Sequence, residues 1–165
     1  MTKPQNILYI MSDEHNPKML GCYGHDQVQT PNLDKLAARG TRFTAHYTNS
    51  PICIPARAAF ATGRYTHETG YWDNAMPYDG GIKGWGHRLQ EEGMRVESIG
   101  KLHYQSEDLN TGFSKQHHPM HVMDGIGQVW GSVRDPLPDE RTAQMLTKIG
   151  PGESSYNNYD RLIAD

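Results

Sequence analysis

Across residues 1–105, short apolar runs alternate with helical patterns that stop at glycine, an arrangement that few folds accommodate. "NILYIM" (6–11) reads as a buried strand of a parallel sheet, and it runs out at Ser12, Asp13 and Glu14. "TPNLDKLAARG" (30–40) reads as a helix, with Thr30 to cap it and Pro31 in its first turn. Leu33, Leu36 and Ala37 share one face of it, and Gly40 ends it. "TRFTAHYT" (41–48) alternates like a strand. Further helices are expected over Pro55–Thr62 and over "GWGHRLQEEG" (84–93), and a further strand over "MRVESIG" (94–100). The expected fold class is α/β, with a mostly parallel sheet flanked by helices. Ligands of such sheets gather beyond the carboxyl ends of the strands. Asp13, Glu14, Lys101 and His103 all follow predicted strands.

From about residue 106 the chain is polar and irregular. "HHPMH" (117–121) is expected to be a polar loop and "DERTAQMLTKIG" (139–150) a helix. "GPGESSYNNYDRLIAD" carries no closing element on this reading. Sixteen basic against nineteen acidic residues leave a formal charge of −3, which argues against nucleic acid or a membrane surface as partner. Two cysteines are too few for a disulfide scaffold, and Cys22 reads as a packed turn residue. The five-residue apolar run near the start is short for a signal peptide and far too short to span a membrane, so a cytoplasmic location is expected.

The chemistry concentrates in "SPICIPARAAFATG" (50–63). Cys53 stands where a helix begins, a position where the helix dipole favours a negatively charged nucleophile. Arg57 lies four residues on, on the same helical face, where it can grip an anion. Those features suit attack on an anionic ester. On composition alone, a lone cysteine is more often a small buried hydrophobe.

"C-I-P-A-R", followed by "TGR", resembles the C-x-P-x-R signature of the sulfatase family, within the alkaline-phosphatase-like superfamily. "NILYIMSDEH" resembles that family's first strand and acidic metal site, and "GMRVESIGKLHY" its second signature ending in G-K-x-H. The run "GCYGHDQVQTPNLDKLAARGTRFTAHYTNSPIC" matches the stretch between the metal site and the cysteine. The resemblance covers about residues 5–104, with Ile54, Ala56, Met94 and Leu102 as departures that remove no functional group. Choline-sulfatase-like and phosphonate-monoester-hydrolase-like members are the nearest in pattern.

The resemblance implies that Cys53 is oxidised after translation to formylglycine by a formylglycine-generating enzyme. One hydroxyl of the hydrated aldehyde would attack sulfur with help from a divalent metal. Asp13, Glu14 and the modified Cys53 would be ligands, and hard oxygens favour Ca2+, with Mg2+ or Mn2+ also suited. Arg57 would hold the diol, Lys101 would clamp the sulfuryl oxygens, and His103 would help expel sulfate. Asn74, in "YWDNAMP", would lie near the substrate. The expected activity is hydrolysis of a small-molecule sulfate monoester. The alternatives are a phosphonate monoester or phosphodiester hydrolase, or a non-catalytic binding module. Self-association is left open. The family's remaining metal ligands and leaving-group acid have no counterpart before Asp165. The expectation is therefore that residues 1–165 are the N-terminal part of a catalytic domain, with 1–105 its well-matched core.

Overall fold

A computed structural model of the protein describes residues 6–125, 127 and 150–165. The chain divides into two compact units, Met1–Tyr47 and Thr48–Asp165.

The first unit holds two short 3-10 turns, Pro17–Met19 and Gly21–Tyr23, and helix α1, Pro31–Arg39. None of its described residues is buried, and polar contacts tie it together. Asp34 Oδ1 accepts from the Cys22 N–H (2.7 Å) and the Thr30 hydroxyl (3.1 Å). Thr30 in turn accepts from the Gly21 N–H at 2.9 Å. Thr30 thus stands at the expected helix start without capping it, because its hydroxyl is committed to Gly21 and Asp34. Cys22 does sit in a turn and is a free thiol. Two expectations change here. Residues 6–11 and 41–48 are not strands, because neither finds a described neighbour to complete a backbone ladder. Ile7, Leu8 and Ile10 are accordingly exposed.

The second unit contains α2 (Cys53–Thr62), α3 (Thr66–Thr69), α4 (Trp85–Glu91), β1 (Glu97–Lys101), β2 (Lys115–Met120) and α5 (Ser155–Ala164). Helix α2 starts two residues before Pro55, which tolerates a first-turn position because its missing N–H would have no helical partner there. It ends at Gly63, whose left-handed backbone (φ 67°, ψ 24°) lets its N–H reach Ala59 O. Ile54, Pro55, Ala58, Ala59 and Ala61 are all buried, so α2 is a central helix apolar on most sides.

Its alanines leave room for aromatic rings. Ala58, Ala61, Tyr78 and Tyr104 form the core, with Tyr71, Leu102 and Phe113 against it. Tyr78 meets Tyr104 edge-on with centroids 4.9 Å apart and Tyr71 at 5.6 Å, and its hydroxyl donates to Ile82 O at 2.6 Å. Burial pushes the Tyr78 phenol up to about 12. His87 is a buried structural histidine. Its Nδ1 accepts from the Gly84 N–H, so Nε2 carries the proton to Asn110 O at 2.9 Å.

Gly86 of α4 lies backbone to backbone against Gly112, where a Cβ would overlap the Gly112 carbonyl. Alanine gains about 1 kcal/mol of helix propensity over glycine. Overpacking against backbone costs about 1–3 kcal/mol or more, and a backbone neighbour yields little. Gly86→Ala is therefore expected to lower stability by roughly 1–2 kcal/mol. A lower urea midpoint at an unchanged m-value would register the loss, whereas a raised midpoint would refute the close approach.

β1 and β2 pair in parallel, with Glu97 opposite Lys115 and Ile99 opposite His117. The expected loop at 117–121 is thus largely strand. Among the described residues β2 pairs on one side only, where Pro119 is tolerated. The chain's last stretch forms α5, capped by Ser154, whose hydroxyl accepts from the Asn157 N–H at 3.1 Å. The predicted helix at 139–150 lies outside the described residues apart from Gly150. No helix among the described residues is long and apolar enough to cross a membrane.

Asp79 supplies a pH-dependent element. Partial burial alone would raise its carboxyl, but the Tyr71 hydroxyl at 2.7 Å and the Gly81 N–H at 2.9 Å outweigh that and lower it. Its stabilising effect is present above the unfolded carboxylate value and is lost as pH falls through the depressed folded value. Asn at this position mimics the protonated acid. Asp79→Asn is expected to cost no more than about 1 kcal/mol at pH 7, since the group is solvent-screened. Urea titrations should show that gap closing below about pH 4. A gap that is constant with pH would show that the charge is not what matters.

Candidate active site

Three segments of the second unit carry Cys53, Arg57, Asn74, Lys101 and His103, five of the residues singled out from sequence. Helix α2 carries Cys53 on its first residue and Arg57 one turn later. Cys53 is a half-buried free thiol. Arg57 is 9% exposed, and its Nη1 donates to the backbone carbonyl of Lys101 at 2.7 Å. A buried guanidinium is costly unless it is hydrogen-bonded, so this contact fastens the cysteine helix to the end of β1, forty-four residues away in sequence.

The end of β1 is shaped by Gly100. Its φ of 88° lies in the region that favours glycine, and a Cβ there would come within 2.7 Å of the Ile163 side chain of α5. The strand pairing is irregular at this point, stepping from Ile99–His117 to Lys101–Met120. Such a bulge re-aims the residues that follow. His103 comes two residues after Lys101, with a left-handed backbone (φ 58°) and its N–H donating to Met120 O at 2.8 Å. That conformation costs on the order of 1 kcal/mol for a side chain of this kind, and such strain concentrates at functional positions. Glu14, in the first unit, has the same feature (φ 52°). Asp13 and Glu14 are adjacent exposed carboxylates in a turn.

Asn74 stands beside the start of the cysteine helix. Its Oδ1 accepts from the Ile54 N–H at 3.0 Å, in the first turn of α2. Tyr104 was not foreseen. It is 4% exposed, burial pushes its phenol well above the ordinary range, and the charge of Arg57 pulls the other way. Its only sequence signal is its place directly after the G-K-x-H run.

The parallel strand pair, its flanking helices and the residues gathered at the strand end define an α/β protein of the alkaline-phosphatase-like class. The sulfatase family model matches residues 5–164, and the chain belongs to the sulfatase family. It is 39% identical over 106 residues to the N-acetylglucosamine-6-O-sulfatase of Bacteroides thetaiotaomicron, covering 64% of this chain and 19% of that protein. It is 38% identical over 115 residues to the choline-sulfatase of Rhizobium meliloti, covering 70% of this chain and 22% of the relative. Among solved structures it resembles one bound to its substrate D-glucosamine-2-N,6-O-disulfate, with a TM-score of 0.63, 37% identity, and 67% and 22% of the two chains covered. A phosphonate monoester hydrolase of Agrobacterium radiobacter shares the fold, with a TM-score of 0.52 at 24% identity over 65% of this chain and 24% of that one. The chain spans about a fifth of the length of the first two relatives.

Proposed function

We propose that the full-length protein hydrolyses a sulfate monoester, and that residues 1–165 supply the N-terminal part of its catalytic domain. The observation that carries the reading is the Cys53-Pro55-Arg57 frame on one buried helix, with Arg57 bonded to the strand end that presents Lys101 and His103. Cys53 is the residue converted to formylglycine by a maturing enzyme, and its hydrated aldehyde supplies the attacking oxygen once the modification and a divalent cation are in place. A free, half-buried thiol on the first turn of a helix fits that modification.

Arg57 places a fixed positive charge one turn from position 53, and its bond to Lys101 O limits how far that charge can move. Lys101 supplies a second cation for the sulfuryl oxygens, stabilising charge that develops as the ester bond breaks. His103 moves a proton during release of sulfate, and its constrained backbone restricts the positions its ring can take. Asn74 has its Oδ1 engaged, which leaves its Nδ2 donors for a substrate oxygen. Asp13 and Glu14 offer hard oxygens suited to Ca2+, Mg2+ or Mn2+. A sulfated amino sugar is the first substrate to try, given the substrates named for two similar proteins.

The test is to co-express the full-length protein with a formylglycine-generating enzyme. Mass spectrometry of the peptide spanning position 53 should find sulfur exchanged for oxygen. The same preparation should cleave an aryl sulfate faster than an aryl phosphonate monoester. An unmodified thiol overturns the mechanism, faster phosphonate cleavage reassigns the substrate, and modified protein without turnover makes the chain a binding module.

A further inference from the structure

Helix α2 begins badly by ordinary rules. Its N-cap residue is Ile52, which has no side-chain acceptor, so the first-turn N–H groups need partners from elsewhere. The Ala56 N–H reaches Ile52 O at 3.0 Å, and Pro55 has no N–H to satisfy. The Ile54 N–H is met by Asn74 Oδ1 at 3.0 Å, from twenty residues downstream.

Asn74 is itself held in place. Asp73 Oδ1 accepts from the Ala75 N–H at 2.8 Å, and Asp73 O accepts from the Met76 N–H at 3.2 Å. These bonds close a tight turn around Asn74. Gly127 packs its backbone against the Asn74 carbonyl so closely that a Cβ would overlap it. Ile54 is 1% exposed, so its side chain is anchored in the core. The peptide joining Cys53 to Ile54 is therefore gripped by core packing on one side and by the Asn74 amide on the other. That peptide contains the Cys53 α-carbon, and with residue 53 held at the helical backbone angles of the first turn, fixing the peptide fixes the direction of its Cα–Cβ bond.

We propose that Asn74 is a positioning residue, whose side-chain carbonyl caps the Cys53 turn through the Ile54 N–H and so aims residue 53. Its kinetic consequence rests on the sulfatase reading, but its structural consequence does not.

Amide hydrogen exchange on the full-length protein with an unmodified thiol reads the bond without any turnover. Asn74→Ala should speed exchange at Ile54 by roughly tenfold, the scale of a lost cap, while amides at the far end of α2 keep their rates. Asn74→Asp keeps an oxygen in the same place and should retain the protection of Ile54. In matured enzyme, Asn74→Ala should lower kcat about tenfold, the pattern of a displaced reacting group, whatever rise in KM the loss of its Nδ2 donors adds. Unchanged exchange at Ile54 in the alanine variant would overturn the proposal. So would a raised KM at unchanged kcat, which would assign Asn74 to substrate binding alone. If the alanine variant does not fold, the aspartate variant decides, and accelerated exchange at Ile54 in it refutes the cap. A preparation that cleaves no sulfate ester counts against the sulfatase reading and leaves the exchange result standing.

Discussion

Cys53→Ala in the full-length, matured protein is expected to lower sulfate-ester hydrolysis by about four orders of magnitude or more, the scale seen when a covalent nucleophile is removed. Alanine removes the atom that the modification acts on. It should disturb little else, because alanine is the best helix former and position 53 is only half-buried on the first turn of α2. Circular dichroism and the thermal midpoint should therefore stay close to those of the parent. Loss of activity with the fold intact separates chemistry from stability. Retained turnover in this variant would remove Cys53 from the mechanism.

Tyr78→Ala is expected to cost about 3–5 kcal/mol, the range for deleting a large buried ring. Tyr78 is fully buried and touches both Tyr71 and Tyr104, so no single neighbour can close the void. Tyr78→Phe keeps the ring and leaves Ile82 O without its donor, which should cost only about 1 kcal/mol. Chemical denaturation of the two variants beside the parent would measure both. Equal losses would mean that the hydroxyl, not the ring, holds the core. Because α2 packs on this ring, the alanine variant should also lose activity, whereas the phenylalanine variant should keep most of it.

Where the structure agrees with the sequence, the signals act over a few residues. α1 lies where Pro31 and Gly40 place it, and α2 runs from Cys53 to a glycine stop. The functional frame Cys53, Pro55 and Arg57 is legible for the same reason, since helical geometry alone sets Cys53 and Arg57 about one turn apart with Pro55 between them in the first turn.

Where they disagree, distant partners decide. The apolar run at 6–11 has every local mark of a strand, yet a strand exists only when a neighbour accepts its backbone bonds. The polar run 115–120 has no such marks, yet it pairs with β1. Thr30 looks like a cap and instead bonds with Gly21 and Asp34.

The sequence by itself determined the family, the helix punctuation and the residue types from which a sulfatase-like site is assembled, because each rests on spacing along one chain. Only the tertiary structure decided that Arg57 is bonded to Lys101 O and that Asn74 caps the turn carrying Cys53. Those bonds join residues 44 and 20 positions apart, and no local propensity specifies such pairings. They form because a buried guanidinium and an uncapped helix N–H each need a partner, and packing around Tyr78 and Tyr104 brings those partners within reach.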